Sequence, residues 1–366
     1  MRRCTPAAGL ITSMLIKNRI QIGDIIMKNF RRIASAALAL TLALSLTACG
    51  GKKAEEPAET SGASQTEEPA EKYLIGISQY GEHASLDNCR EGFLQGLEQA
   101  GLVEGVDFEV ELQNAGFDDA IATQIGQGFS AEDVDLMVGI ATPSAIACYA
   151  AAEDKDIPVI FTAITDPVQA KLDSGNVTGT SDKLPVEAQL DLIRQLQPNA
   201  KTIGIIYTTS EPNSVSAIAE YQEKAGDFGF TIDAIGVTAQ AEVTQAADTL
   251  IAHKVDCISN LTDNNVVGVL AAILEKTNDA GIPIYGSEVE QVKLGCVAAA
   301  GIDYIQLGKQ TGQMAAKVLR GEAACQDLPY ETISEYGIYV NSEALDAMGI
   351  VLPDAVAQKA VESNEA

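Results

Sequence analysis

An α/β fold of two Rossmann-like lobes, each built on a parallel sheet, follows from three features of the sequence. Continuous apolar runs of strand length alternate with amphipathic stretches of helix length, the pattern of parallel strands buried on both faces under covering helices. The run Tyr73-Leu-Ile-Gly-Ile-Ser78 has a near copy in Thr202-Ile-Gly-Ile-Ile-Tyr207, where the alternation starts afresh. The chain from Tyr73 onward also has the length of two ordinary domains.

The elements follow in order. In the first set, strands are expected over 73–78, 108–113, 134–141 and 158–164, with a further one over 176–180. Between them lie helices over 86–100, ended by Gly101, and over 120–129 and 143–153. A helix over 185–197, closed by Pro198, opens the second set. Strands over 202–207, 231–237, 255–260 and 283–286 then alternate with helices over 213–228, 242–252 and 264–280. The segment 296–301 is apolar again. After Gly301 a long helix over 305–320 precedes a strand-like 330–341 and a short final helix.

The N-terminal region reads as an export signal. Lys28, Arg31 and Arg32 form a basic cluster, 33–45 is almost wholly apolar, and Leu46-Thr47-Ala48-Cys49 follows. The apolar run is too short to span a bilayer. Leu-Thr-Ala-Cys has the form of a bacterial lipobox, so residues 1–48 are expected to be a removed signal and Cys49 the acylated residue that anchors the chain to the membrane. Residues 1–26 fit no signal pattern. Met27 is therefore expected to be the true start, and Gly23-Asp24 admits codons that resemble a ribosome-binding site. From Cys49 to Lys72 the chain is rich in Glu, Ala, Pro, Ser and Lys, the composition of a disordered tether.

Composition removes several functions. With 51 acidic and 24 basic residues the net charge is −27, and the signal region takes some of the basic residues with it. Such a body repels phosphate backbones, which excludes nucleic acid as a partner. Beyond Cys49 the cysteines are Cys89, Cys148, Cys257, Cys296 and Cys325. None form a CxxC pair, so they read as isolated buried thiols with no zinc site or disulfide framework. The dinucleotide, P-loop, nucleophile-elbow and zincin motifs are all missing. The lone histidines, His83 and His253, read as surface residues that leave little general-base chemistry. A binding protein without cofactor or metal is expected, not an enzyme.

In open parallel sheets, ligands sit beyond the carboxyl ends of the strands. The polar residues at those ends are the candidate site: Gln79 and Tyr80 after the first strand, Thr142 and Ser144 after the third, Thr165 and Asp166 after the fourth, and Asp182 after the fifth. In the second set they are Asn213, Asn264, Glu288 and Asp303. Thr142-Pro143-Ser144 has Thr as a helix cap and Pro at the first helical position, so the free amides there suit a carboxylate. Asp303 or Asp166 would receive an ammonium group, which together make a site for a zwitterion. Each of these residues also has a plain structural role open to it: Asp166-Pro167 is a common turn, and Asp303, Asn213 and Asn264 stand where helix caps stand.

The order and spacing of several short motifs resemble one family. They are Ile75-Gly-Ile-Ser-Gln79, Arg90-Glu-Gly-Phe93, Ile140-Ala-Thr-Pro-Ser-Ala145, Phe161-Thr-Ala-Ile-Thr-Asp-Pro-Val168, Asn176-Val-Thr-Gly-Thr-Ser-Asp182, Thr262-Asp-Asn264 and Gly301-Ile-Asp-Tyr304. From Tyr73 to about Pro353 the chain is similar to the ABC-transporter substrate-binding proteins associated with tryptophan or tyrosine uptake. The resemblance implies type I periplasmic-binding architecture, in which the chain crosses the hinge more than once. The first lobe would then hold 73–184 plus about 302–330, and the second 185–301 plus about 331–360. It also implies a small amino-acid-like ligand trapped by hinge closure, an ABC permease and its ATPase as partners, and a place on the extracytoplasmic face of the cell membrane. A ligand-sensing lipoprotein serving a membrane receptor is the alternative. A sugar or other polar solute is a further one, disfavoured by the absence of Trp to stack on a sugar ring.

Overall fold

The computed structural model describes residues 72–333 and 335–363. The signal region, the lipobox with Cys49 and the tether up to residue 71 lie outside the described residues. Among those described, no helix is long and apolar enough to cross a membrane.

The first lobe opens with β1 (Tyr73–Gln79), α1 (Ala84–Gln99), β2 (Phe108–Asn114), α2 (Asp119–Glu132) and β3 (Leu136–Ile140). It continues through α3 (Thr142–Ala152), β4 (Val159–Thr162) and β5 (Val177–Ser181). The central strands are apolar on both faces because helices cover both. Leu136 to Ile140 is buried throughout. The strand order β2-β1-β3-β4-β5 is all parallel and reverses direction between β1 and β3. That reversal opens a crevice at the carboxyl edge of the sheet.

The second lobe repeats this plan with α4 (Val186–Leu196), β6 (Thr202–Thr208), α5 (Pro212–Lys224), β7 (Thr231–Val237), α6 (Val243–His253) and β8 (Cys257–Ser259). It then runs through α7 (Asn264–Val267), α8 (Leu270–Ala280), β9 (Ile284–Tyr285), α9 (Val289–Leu294) and β10 (Ala298–Gly301). The order β7-β6-β8-β9-β10 copies that of the first sheet. The helix expected over 264–280 is two helices, interrupted at Gly268 and Val269. A Cβ at Gly268 would stand 3.1 Å from the Phe117 ring of the first lobe, so glycine here permits close approach between the lobes.

The chain then returns. α10 (Tyr304–Leu319) packs on α1, and β11 (Glu331–Thr332) joins the first sheet beside β5. β12 (Gly337–Val340) runs antiparallel to β10 in the second sheet, and α11 (Ser342–Ala347), α12 (Asp354–Ala357) and β13 (Ala360–Glu362) follow, β13 pairing with β12. The strand expected over 330–341 is therefore two strands on different sheets. The free edge of β5 at Thr180 and Ser181 takes Glu331 and Thr332 before the chain crosses. By strand membership the chain passes between lobes after Ser181, after Gly301 and after Thr332.

The contact of α10 with α1 is backbone on backbone. Gly92 and Gly96 face Gly308 and Gly312, and a Cβ on any of the four would fall 2.1–2.2 Å from a carbonyl oxygen of the opposite helix. The five cysteines of this body are buried and unpaired.

Candidate functional site

Two strained turns shape the crevice of the first lobe. Ala141, just after β3, has φ 74° and ψ 155°, a region that costs any residue with a Cβ. Ala163, after β4, has φ 59°. Both line a narrow cavity between the lobes, together with His83, Asp182 and Tyr304 of the first lobe and Asn264, Glu288 and Gln291 of the second. Strain at two such adjacent positions marks a place where backbone geometry is held for a purpose. The turn at Ala141 also displaces the expected cap: α3 begins at Thr142, with Ala141 as its cap residue and Pro143 in its first turn. The first amides of α3 have no acceptor within the helix.

Polar contacts join the lobes at the cavity and on either side of it. Ser85 Oγ donates to Glu288 Oε1 at 3.1 Å, and Asn88 Nδ2 to Glu290 Oε1 at 2.9 Å. The hydroxyls of Thr165 and Thr262 meet at 3.0 Å, and Ser216 Oγ donates to Asp166 Oδ2 at 2.6 Å. The lobes are closed. The accessible space is about 20 Å³, about one water. A solute therefore reaches these residues only when the lobes part.

The cavity is rich in buried acids. Asp182 accepts from Thr165 Oγ1 at 2.9 Å and from Tyr304 Oη at 2.6 Å, and its complete burial raises its pKa. Burial also pushes Glu288 up to about 7, although Ser85 and the amides of Glu290 and Gln291 oppose this. Glu211 rises to about 8 through burial and the nearby Asp263, itself raised by burial. Around this pair the amides of Asn213, Asn264 and Asn265 donate to Glu211, while Thr208 and Ser214 donate to Asp263. Among the described residues, four carry buried side-chain polar atoms without a hydrogen-bond partner. Of these, His83 lines the cavity, and Thr142 and Asn213 adjoin its lining residues Ala141 and Thr262. Burying a polar atom unpaired costs about 1–3 kcal/mol, so its recurrence in one place points to a ligand site.

The sequence-predicted residues divide into groups. Asp182, Asn264 and Glu288 line the cavity. Thr165 touches Asp182, Thr142 follows Ala141, and Asn213 donates to Thr262 O at 3.0 Å. Ser144 sits behind the wall, accepting from Ser78 Oγ at 3.1 Å. Four residues are not brought to the cavity. Gln79 braces α1 through Gly81 O, Asp87 and Arg90, and Tyr80 donates to Asp119 at 2.8 Å. Asp166 caps its own turn through Gln169 N while holding Ser216. Asp303 caps α10 through the amides of Ile305 and Gln306 and faces an outer groove with Tyr336 and Tyr339. Of the two acids expected to hold an ammonium group, Asp166 thus caps a turn and Asp303 caps a helix. His83, read as a surface residue, instead stacks on Phe117 at 6.3 Å and has both ring nitrogens shielded from solvent. His253 is exposed and pairs with Asp233.

Buried acids make stability fall as pH rises. Glu288 and Glu211 keep their protons in the native state up to about pH 7 and 8 but lose them near 4.5 when unfolded. Their contribution is complete below about 4.5 and is lost as pH rises through 7 and 8. His83, lowered to about 4 by burial, acts oppositely: its contribution is present above about 6.5 and fades as pH falls toward 4. The melting temperature is expected to peak at mildly acidic pH and to drop toward pH 8.5. Glu288→Gln should remove the part of the fall that runs from about pH 4.5 to about pH 7, a step on the order of 3 kcal/mol. Calorimetric melts across this range check it; a melting temperature that climbs from pH 6 to 8.5 contradicts it.

Comparison with known proteins agrees with this geometry. Residues 74–364 match the model of a family described as ABC transporter substrate binding protein. The chain is 36% identical over 342 residues to a tyrosine-binding protein of Clostridioides difficile, covering 92% of this chain and 97% of that protein. It resembles the structure of a Streptococcus pneumonia ABC domain in complex with L-Trp (33% identity, TM-score 0.76, covering 80% of this chain and 99% of that one). The ligand-free, open structure of a Clostridium difficile substrate-binding protein with adhesive properties matches at 36% identity with a TM-score of 0.60, covering 80% of this chain and 100% of that one. Identity is alike in the two cases while the structural match is better to the ligand complex, as the closed lobes here require. The architecture is that of type I periplasmic-binding proteins, whose members of this kind bind solutes outside the cytoplasm and are not enzymes. The chain belongs to the ABC transporter substrate binding protein family.

Proposed function

We propose that this chain is the lipid-anchored receptor of an ABC importer and takes an aromatic amino acid, tyrosine or tryptophan, between its lobes. The observation that carries this reading is the pairing of opposite functions on one cavity. Asp182 supplies a buried acid for the ammonium group, and the start of α3 behind Ala141 supplies amides and the Thr142 hydroxyl for the carboxylate. The tyrosine-binding relative and the L-Trp complex support the choice of solute. Acylation at Cys49 and the tether to Lys72 hold the lobes at the membrane, and closure presents them to a permease driven by its ATPase.

Native mass spectrometry of the protein as purified tests the ligand. A mass increment equal to tyrosine or tryptophan supports the reading, and an increment equal to a sugar opposes it. The anchor is tested separately. Cys49→Ala is expected to abolish labelling by radioactive palmitate, and labelling equal to wild type would remove the lipid from the account.

A further inference from the structure

His83 is at odds with its surroundings. It precedes α1, it is half-buried as a residue, and both ring nitrogens are shielded from solvent, with no partner at good hydrogen-bond geometry and the Asn264 side chain of the second lobe beside the ring. The ring is parallel to that of Phe117, with planes 5° and centroids 6.3 Å apart. Phe117 in turn is set between Gly81 of the first lobe and Gly268 of the second, where added Cβ atoms would meet it at 2.0 and 3.1 Å. The imidazole is thus clamped by an aromatic ring that reaches across the closed cleft.

The wall of the cleft changes character at His83. On one side is the acid-lined cavity of Asp182. On the other, a groove continues outward past Val267, Leu270 and Leu294. His83, Ser85 and Glu288 border both spaces. The Ser85 hydroxyl already donates to the Glu288 carboxyl, which also accepts from the amides of Glu290 and Gln291. With the head of a zwitterion placed at Asp182 and α3, this aliphatic stretch is the space left for its side chain, and the ring nitrogens of His83 stand where the two spaces meet.

We propose that His83 is the specificity-determining residue of the cleft, hydrogen-bonding the polar edge of the bound aromatic side chain and so selecting tyrosine and tryptophan over phenylalanine. The inference rests on the aromatic amino-acid reading above. Burial pushes the imidazole down to about 4, so it is neutral at pH 7 and offers one N–H donor and one bare nitrogen acceptor. With Asn264 beside the ring to take the N–H, the bare nitrogen accepts from an indole N–H or a phenol hydroxyl. Phenylalanine offers neither and leaves that nitrogen unpaired, which is how a site built for a hydroxyl rejects the analogue lacking it.

Titration calorimetry of wild type and His83→Phe with L-tyrosine, L-tryptophan and L-phenylalanine tests this. The phenyl ring keeps the stacking on Phe117 and removes both nitrogens. Tyrosine and tryptophan affinity should fall on the order of tenfold, with phenylalanine unchanged or tighter. An equal loss for all three, or no loss, overturns the role. Wild type that binds none of the three refutes the aromatic reading itself. A measurement on wild type covers the case of a variant that fails to fold. The chain has two histidines, so nitrogen NMR resolves His83 from His253. The His83 ring nitrogens should shift on adding tyrosine and stay put with phenylalanine; the same shift with both overturns the inference.

Discussion

Asp182→Ala is expected to weaken binding of tyrosine or tryptophan by at least about 30-fold while the protein still melts cooperatively. The carboxylate is fully buried and held by Thr165 and Tyr304 at 2.9 and 2.6 Å, so its place in the cavity is set before any ligand arrives. Removing one partner of a buried, hydrogen-bonded charge pair costs about 2–5 kcal/mol, and each 1.4 kcal/mol is about tenfold in dissociation constant. Asp303→Ala makes the contrasting control. Its carboxylate caps α10 and faces the outer groove, so its loss should cost about 0.5–2 kcal/mol of stability and leave affinity within about threefold. Calorimetric titration and thermal melts of both variants decide the matter. Binding lost in Asp303→Ala and kept in Asp182→Ala would move the ammonium site to the outer groove.

Gly308→Val should be the most damaging single change to the fold. A Cβ there would lie 2.2 Å from Cys89 O and 2.7 Å from Phe93 N, backbone atoms that cannot rotate away. Relief requires α10 to move off α1, opening the first lobe's core around Phe93, Leu97 and Leu307. Overpacking typically costs 1–3 kcal/mol, and a clash against backbone exceeds the usual case, so at least about 3 kcal/mol is expected. Gly128→Ala, in α2 with open space around its added Cβ, should instead stabilise by about 0.5–1 kcal/mol. Chemical denaturation measures both. A Gly308→Val protein as stable as wild type would mean that the helices are not in backbone contact.

The repeated lobes were legible because a parallel strand buried on both faces needs an unbroken apolar run. Tyr73–Gln79 and Thr202–Thr208 are such runs, each starting a sheet of the same order. Reading the residues after each strand picked out Asp182, Asn264 and Glu288, which the fold brings to one cavity wall because strand ends point into the crevice. The same rule also picked Asp166 and Asp303, which stand off this cavity because an acid at a turn or helix start has amides of its own within reach. The available signal was local: the amides of Ile305 and Gln306 follow Asp303 at capping distance in sequence. His83 had no such signal. Its burial comes from Phe117, far along the chain, and from the second lobe's Asn264 and Val267. Alanine does not announce a positive φ, so the turns at Ala141 and Ala163 were invisible, unlike the glycine seam of α1 and α10.

The account's central claim is that two lobes close on one aromatic amino acid. The direct measurement is calorimetric titration of residues 72–366, unfolded and refolded to strip any carried solute, with L-tyrosine, L-tryptophan, galactose and myo-inositol. The account predicts one site per chain for tyrosine or tryptophan, a negative heat-capacity change as the lobes bury surface, and no heat from either polyol. Saturable binding of galactose or myo-inositol, with both amino acids silent, would contradict it.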